Sequence, residues 1–397
     1  MYMCRWFYPI GQGGFAFEQF KNGNTVVFDC GSETIFGERS IIEDRICQAF
    51  PIRDKKSIIS NVFISHFHKD HINGLPFLLK QCAVSNIYLP YLTESEQVIT
   101  LILLSEELNS RYMRLFHSLI TGNGIGRSAE SQNTQVTYVH PTGDKLGPID
   151  ESKKVEHVGS GCEIPASKQK DSKKPWFFIP YTFDNKNRSE KFKRILQENG
   201  ISDSLCEEMR NSAFWENNEV MEIVKKAYEN IRKDINLTNM VVYSGTKSFE
   251  PTSCLKLITS NKIKQRIQDG IYPINPHRDG CLYTGDYNAK AVREWKALKN
   301  AYNGIWNTIG VCTVPHHGSK NSFNAELTKL DSFFVINAGC NNSYKHPHRE
   351  VLQSLQSNIK RSLSLTNLAI LTFLCFILML LNKTTNNRNI LTFTFAN

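Results

Sequence analysis

The sequence predicts an α/β fold, and three observations carry that prediction. Residues 57–64 (Ser-Ile-Ile-Ser-Asn-Val-Phe-Ile) form an apolar, β-branched run of buried-strand length, and residues 72–79 read as a turn at Asn73-Gly74 into an apolar helix. Further strand patterns recur at 25–32, 239–244, 280–286, 308–314 and 333–337, with helical spacing at 93–121 and 215–232. The 397 residues, 41% hydrophobic, suffice for one large layered domain with an insertion or for two smaller ones.

Between the first strand and helix lies the loop Ser65-His66-Phe67-His68-Lys69-Asp70-His71. His66 and His68 alternate about Phe67, so their imidazoles can point the same way. Neutral imidazole suits zinc, iron or manganese, and Asp70 adds a hard oxygen and a negative charge beside His71. Four ligand-type residues within six positions point to metal, where a lone histidine would not.

The chain opens with two short strands, around Phe15 and over Thr25-Val26-Val27-Phe28-Asp29, joined at a hairpin turn Asn22-Gly23-Asn24. Gly11, Gly13 and Gly14 suggest a phosphate cradle, but no dinucleotide fingerprint follows and a phosphate-loop lysine is missing. Far downstream, one strand ends in Gly285-Asp286 and another in Pro315-His316-His317-Gly318-Ser319. Alone, Asp286 would most often be a turn residue or helix cap.

Together these blocks resemble the metallo-β-lactamase superfamily. Its HxHxDH signature is matched at His66, His68, Asp70 and His71, and the later blocks follow in the family's order. The pair HHGS at 316–319 and NxYxHP at 342–347 is similar to the branch containing the metallo-β-lactamase-like domain of DNA-uptake competence channels. The resemblance implies a four-layer αββα sandwich with metal loops along one edge. It implies two divalent metal ions, zinc first and manganese second, held by His66, His68, Asp70, His71, a bridging Asp286, and His316 or His317. His316 is favoured for the second site, but the doublet leaves the choice open. Asp29 would be a buried support for the metal loop, and Asp70 and His346 the catalytic groups.

The activity so implied is a hydrolase using a bridging hydroxide, most readily on a phosphodiester or nucleic-acid substrate. Two alternatives stand beside it: a nucleic-acid-binding module with a weak or vestigial metal site, and a hydrolase of small lactones or thioesters. The chain departs from the family in one respect. A further histidine is usual between HxHxDH and the bridging aspartate, and here that region carries Asn236 and Asn239. His140 and His157 are the spare upstream histidines, and neither lies in a ligand motif.

Residues 1–360 are expected to form the metallo-β-lactamase-like domain, with 91–235 as an insertion or cap. In that stretch the basic runs 167–174 and 186–194 flank Trp176, Phe177, Phe178 and Phe183, a composition that suits phosphate pairing and base stacking by single-stranded nucleic acid. Lysine plus arginine exceed aspartate plus glutamate by 47 to 38, a net +9 that favours anionic partners. Eleven cysteines without CxxC pairs, and no N-terminal hydrophobic signal run, lead to the expectation of a reducing cytoplasm. The tail 361–397 is either a membrane anchor through 365–381, short against the about 20 residues a bilayer requires, or a last helix and strand of the core, the strand at 390–395.

Overall fold

The computed structural model describes residues 3–362 apart from 37–38, 53–55, 109, 126–133, 143–154, 167–174, 184–185, 217–224, 226–227, 229–237, 248–254, 259–277, 331 and 340–341, together with 391–395. In chain order the strands are β1 Met3–Phe7, β2 Gly13–Phe20, β3 Thr25–Ser32, β4 Ile35–Phe36, β5 Arg39–Ser40, β6 Ile58–Phe63, β7 Ala83–Pro90, β8 Gln135–His140, β9 Val155–Gly159, β10 Ile164–Pro165, β11 Trp176–Thr182, β12 Met240–Thr246, β13 Leu255–Ile258, β14 Gly280–Tyr283, β15 Ile309–Thr313, β16 Phe333–Val335 and β17 Leu391–Phe395. The helices are α1 Ile41–Ala49, α2 Lys69–Ile72, α3 Leu75–Gln81, α4 Glu94–Glu107, α5 Ser110–Ile120, α6 Lys186–Glu198, α7 Asp203–Met209, α8 Val292–Ala301 and α9 Arg349–Ser362.

Among the described residues two large sheets run β13-β17-β1-β2-β3-β6-β7-β8-β9 and β10-β11-β12-β14-β15-β16, and β4 and β5 form a separate two-stranded ribbon. Side-chain alternation along each strand decides the layering. Phe28 and Phe63 of the first sheet meet Phe178, Met240, Val242, Tyr283 and Val311 of the second in an inter-sheet core. The opposite faces of the same strands, through Val27, Ile59 and Val62, pack on α1, α3, α4 and α5. On the far side Val241, Tyr243, Leu282 and Cys312 pack on α8 and α9. The result is the expected helix–sheet–sheet–helix sandwich.

The stretch 91–235 supplies β8 and β9 to the first sheet, β10 and β11 to the second, and α4 and α5 to the outer layer. The helical span at 93–121 divides in two, because Leu108 leaves α4 in an extended conformation. Two of the aromatics proposed to stack on nucleic acid, Trp176 and Phe178, are buried and not available for it. Alternation in β11 turns Trp176 (4% exposed) and Phe178 (0%) into the inter-sheet core, whereas Phe177 is half-buried on the opposite face with the Lys247 ammonium 5.0 Å from its ring, and Phe183 is half-buried and tilted against Tyr287 at 4.6 Å. The basic run 167–174 lies outside the described residues.

The last strand is present as β17, paired antiparallel with both β1 and β13. Helix α9 also packs on the domain through Val351 and Leu355, so both flanks of 363–390 are held by one body. The apolar segment 365–381 lies outside the described residues. No helix among the described residues is long and apolar enough to cross a membrane.

One polar cluster ties the two sheets together. Arg5 and Glu18 are fully buried, and Arg5 Nε donates to Glu18 Oε1 at 2.7 Å. Tyr283 Oη donates to the same carboxylate at 3.0 Å and Ser244 Oγ at 2.6 Å, while Trp176 Nε1 donates to Ser244 Oγ at 2.8 Å. Removing one partner strands the other's charge in the core. Glu18→Ala should therefore lower unfolding stability by about 3–5 kcal/mol in a urea titration, and a change below about 1 kcal/mol would show that the cluster does not tie the sheets.

Candidate metal centre

The metal loop leaves the end of β6 and is pinned to the end of β3. Asp29, with φ 52°, turns its carboxylate toward that loop. Its Oδ1 accepts from Ser65 N at 2.7 Å, and its Oδ2 accepts from Ser65 Oγ at 2.9 Å and pairs with His71 Nδ1 at 2.8 Å. The helical turn α2, which carries Asp70 and His71, lies directly on β3. A Cβ at Gly31 would sit 2.5 Å from Ile72 N and 2.6 Å from the carbonyl carbon of Asp70, so only glycine admits the approach. The opening glycines thus bring strand and ligand turn together.

Asp286, in the turn after β14, stands at the centre. Its Oδ2 lies 3.5 Å from His66 Nε2, 4.0 Å from His68 Nδ1 and 3.5 Å from His316 Nε2. Its Oδ1 lies 3.3 Å from both His71 Nε2 and His317 Nε2. Asp70 Oδ2 lies 3.1 Å from His317 Nε2 and 3.7 Å from His71 Nε2. The donors therefore divide between the two oxygens of one carboxylate. Two clusters are close enough to hold an ion each: His66, His68 and Asp286, and Asp70, His71 and His317.

The outer nitrogens of these rings are already engaged. His66 Nδ1 pairs with Ser65 Oγ at 2.9 Å, His316 Nδ1 with Ser322 Oγ at 3.0 Å, and His317 Nδ1 donates to the Asn337 carbonyl at 2.7 Å. With His71 Nδ1 on Asp29, four histidines keep Nε2 facing inward. Carboxylate and carbonyl partners of this kind orient a ligating imidazole and raise its basicity.

The histidine doublet reaches both oxygens because of its backbone. His316 (φ 49°, ψ 53°) and His317 (φ 54°, ψ 18°) are both left-handed, and Gly318 follows at φ 84°. Their rings stand at 80° to each other with centroids 6.0 Å apart, on either side of Asp286. Such conformations cost about 1–2 kcal/mol each for residues with a Cβ. They are held by His316 N donating to Gly285 O at 2.9 Å and Ser319 N to His316 O at 2.8 Å. The resemblance favours His316 for the second site, beside Asp70 and His71. In the structure it is His317 that groups with Asp70 and His71, while His316 faces Asp286 Oδ2, the oxygen turned to His66 and His68.

The electrostatics are those of a cation cradle. Burial raises the Asp286 carboxyl, but His316, His317, His71 and His66 outweigh it and hold the group well below the carboxylate range. Burial lowers His71, yet Asp70, Asp29 and Asp286 together push it well above an ordinary histidine. His317 is likewise raised, with burial opposed by Asp286 and Asp70. His66 falls to about 4, chiefly by burial and then by His71. Buried Asp286 Oδ1 has no hydrogen-bond partner although two imidazole nitrogens stand 3.3 Å away. A buried, orphaned carboxylate oxygen among inward-facing imidazoles fits divalent ions as the missing partners.

The remaining candidates fall in two places. His346 borders the cluster, its ring 5.6 Å from that of His316 and 6.3 Å from that of His317, with Nδ1 buried and without a hydrogen-bond partner. Asn239 is buried beside Gly285, and neither of its side-chain polar atoms has a hydrogen-bond partner. Asn236 lies outside the described residues. His140 and His157 stand apart, paired with each other at 2.8 Å and stacked on Tyr91 and Tyr138, and they belong to neither donor cluster. Sequence reasoning missed Ser322 and Asn337: a serine six residues after the ligand has no signature, and Asn337 acts through its backbone.

Residues 16–98 match the model of the metallo-β-lactamase superfamily, a stretch that includes β3, the metal loop and its four ligand-type residues. The chain carries a domain of the metallo-β-lactamase superfamily. Over 84 residues this metallo-β-lactamase-like chain is 37% identical to ComE operon protein 3 of Bacillus subtilis (strain 168), covering 21% of the chain and 10% of that protein. Over 70 residues it is 33% identical to ribonuclease J of Mycoplasma genitalium, covering 18% of the chain and 12% of that protein. It thus spans about a tenth of the length of the curated relatives it matches. Among solved structures it is similar to human tRNase Z, short form, at a TM-score of 0.32 and 12% identity, over 79% of this chain and 77% of that one.

Two outcomes follow for metal binding. Asp29→Asn removes the negative partner of His71 and should weaken zinc affinity about 10- to 100-fold in a competitive chelator titration, and unchanged affinity would contradict the orienting role. His316→Ala and His317→Ala should each lower metal content by about one ion per chain. Loss in only one of the two variants would show that the doublet serves a single site.

Proposed function

We propose that this protein is a metal-dependent hydrolase that holds two divalent cations and cleaves phosphodiesters of the nucleic-acid type. The observation that carries the reading is the division of donors about Asp286, with His66, His68 and His316 toward Oδ2 and His71 and His317 toward Oδ1. In this reading the first site is His66, His68, His316 and Asp286, and the second is Asp70, His71, His317 and Asp286. Five imidazoles favour zinc, and the two carboxylates also admit manganese. Two such ions, when bound, supply Lewis acidity toward a phosphoryl oxygen and make water easier to deprotonate near neutral pH.

The chain's own groups do the rest. Burial raises Asp70, but His71 and His317 outweigh it and keep its carboxylate ionised, which places a fixed acceptor beside the second site to orient an attacking water. His346, lowered to about 4 chiefly by burial and then by His316 and His317, is neutral at pH 7. A neutral imidazole carries one proton and one lone pair, so His346 can relay a proton between attacking water and leaving oxygen at the site's edge. The substrate class is supported by the relatives named ribonuclease J and by the net charge of +9.

The direct test is purified full-length protein, loaded with zinc or manganese, against single-stranded DNA, duplex DNA, RNA and cyclic nucleotides. Turnover of at least one phosphodiester is expected, with kcat about 10²- to 10⁴-fold lower in His346→Ala at unchanged metal content. Cleavage of lactones or thioesters with no phosphodiester turnover would overturn the substrate assignment.

A further inference from the structure

Next to the donor cluster an aromatic ring stands in solvent. Tyr344 is 54% exposed, one of four large hydrophobic residues so placed among the described residues. It does not protrude alone. Its ring stacks on His346 at 5.7 Å and 21°, and His346 stacks in turn on His317 at 6.3 Å and 25°. The three rings form a column from His317, 3.3 Å from Asp286 Oδ1, out to the surface, and Tyr344 is its outer end.

The loop that presents the ring is braced. Asn342 Oδ1 accepts from His346 N at 2.8 Å, and Asn342 Nδ2 donates to Gly339 O at 2.5 Å and to His346 O at 2.6 Å. Lys345 N donates back to Asn342 O at 3.3 Å, with Lys345 itself left-handed at φ 59°. One side chain thus closes the turn that carries Tyr344, and the exposed Lys345 ammonium follows it directly. A turn held this way presents its aromatic ring with little conformational entropy left to lose on binding.

We propose that Tyr344 is a base-stacking platform, which receives the nucleobase next to the phosphodiester bond positioned at Asp286 and thereby selects unpaired over duplex nucleic acid. The inference rests on the hydrolase reading above and deepens it. Every base offers a π-face, so such a platform is tolerant of sequence, but it requires a base free of its partner strand. Duplexed bases already stack on both neighbours and present only edges. Trp176 and Phe178 of β11 are buried in the inter-sheet core and do not compete for this role.

The test is equilibrium binding of metal-loaded, full-length protein to short fluorescein-labelled phosphorothioate single strands, followed by anisotropy. One strand carries all its bases and the other is abasic throughout. Tyr344→Ala should weaken binding of the base-bearing strand roughly 5- to 100-fold and leave the abasic strand unchanged, while Tyr344→Phe retains wild-type affinity. Equal affinity of Tyr344→Ala and wild type for the base-bearing strand would overturn the platform and leave the hydrolase reading intact if wild type still cleaves phosphodiesters. Loss in Tyr344→Phe as large as in Tyr344→Ala would assign the effect to the hydroxyl, which also overturns stacking. Failure of wild type to bind either strand would overturn platform and substrate class together.

Discussion

Everything at the centre of this molecule turns on one carboxylate with two faces. Asp286 is only 10% exposed among imidazoles, with one oxygen toward His66, His68 and His316 and the other toward His71 and His317. An acidic group so placed is far too costly to keep unless its charge is met. The surrounding structure is organised to deliver that compensation from two sides. The first sheet brings the ligand loop on Asp29 and Ser65, and the second brings Asp286 after β14 and the doublet after β15. The site therefore exists only where the sheets face one another, and the buried Arg5–Glu18 cluster that ties them also supports the centre.

In the proposed two-metal reading, a local backbone choice at the doublet would make up for a missing side chain. With no histidine placed between the metal loop and Asp286 in the usual family position, the His66–His68 side would rely on two imidazoles. In regular strand or helix, neighbouring residues point well apart and could not both face one carboxylate. Two successive left-handed residues splay His316 and His317 about Asp286 instead. Asn239 occupies the buried position beside Gly285, and with the His68 and His316 side chains 28% and 26% exposed against 3% and 4% for His71 and His317, this side of the site is more open than the other.

The layers, the histidine-rich loop and Asp286 were legible because each is local: alternating apolar residues declare strands, and SHFHKDH concentrates four ligand-type residues in six positions. Three features were not. Trp176 and Phe178 look like a stacking surface beside a basic run, and only the register of β11 against β12 reveals that they face the first sheet. The roles of His316 and His317 depend on φ angles that no residue type there announces. Ser322 and the Asn337 carbonyl act through proximity created by the fold, so their positions carry no pattern.

Anomalous diffraction from crystals of the full-length protein grown with zinc would test the account at its root. Two peaks are predicted, one on each side of the Asp286 carboxylate, each within about 2.0–2.1 Å of its imidazole nitrogens, with His316 on the His66–His68 ion and His317 on the other. A single peak, or zinc bound away from Asp286, would contradict it.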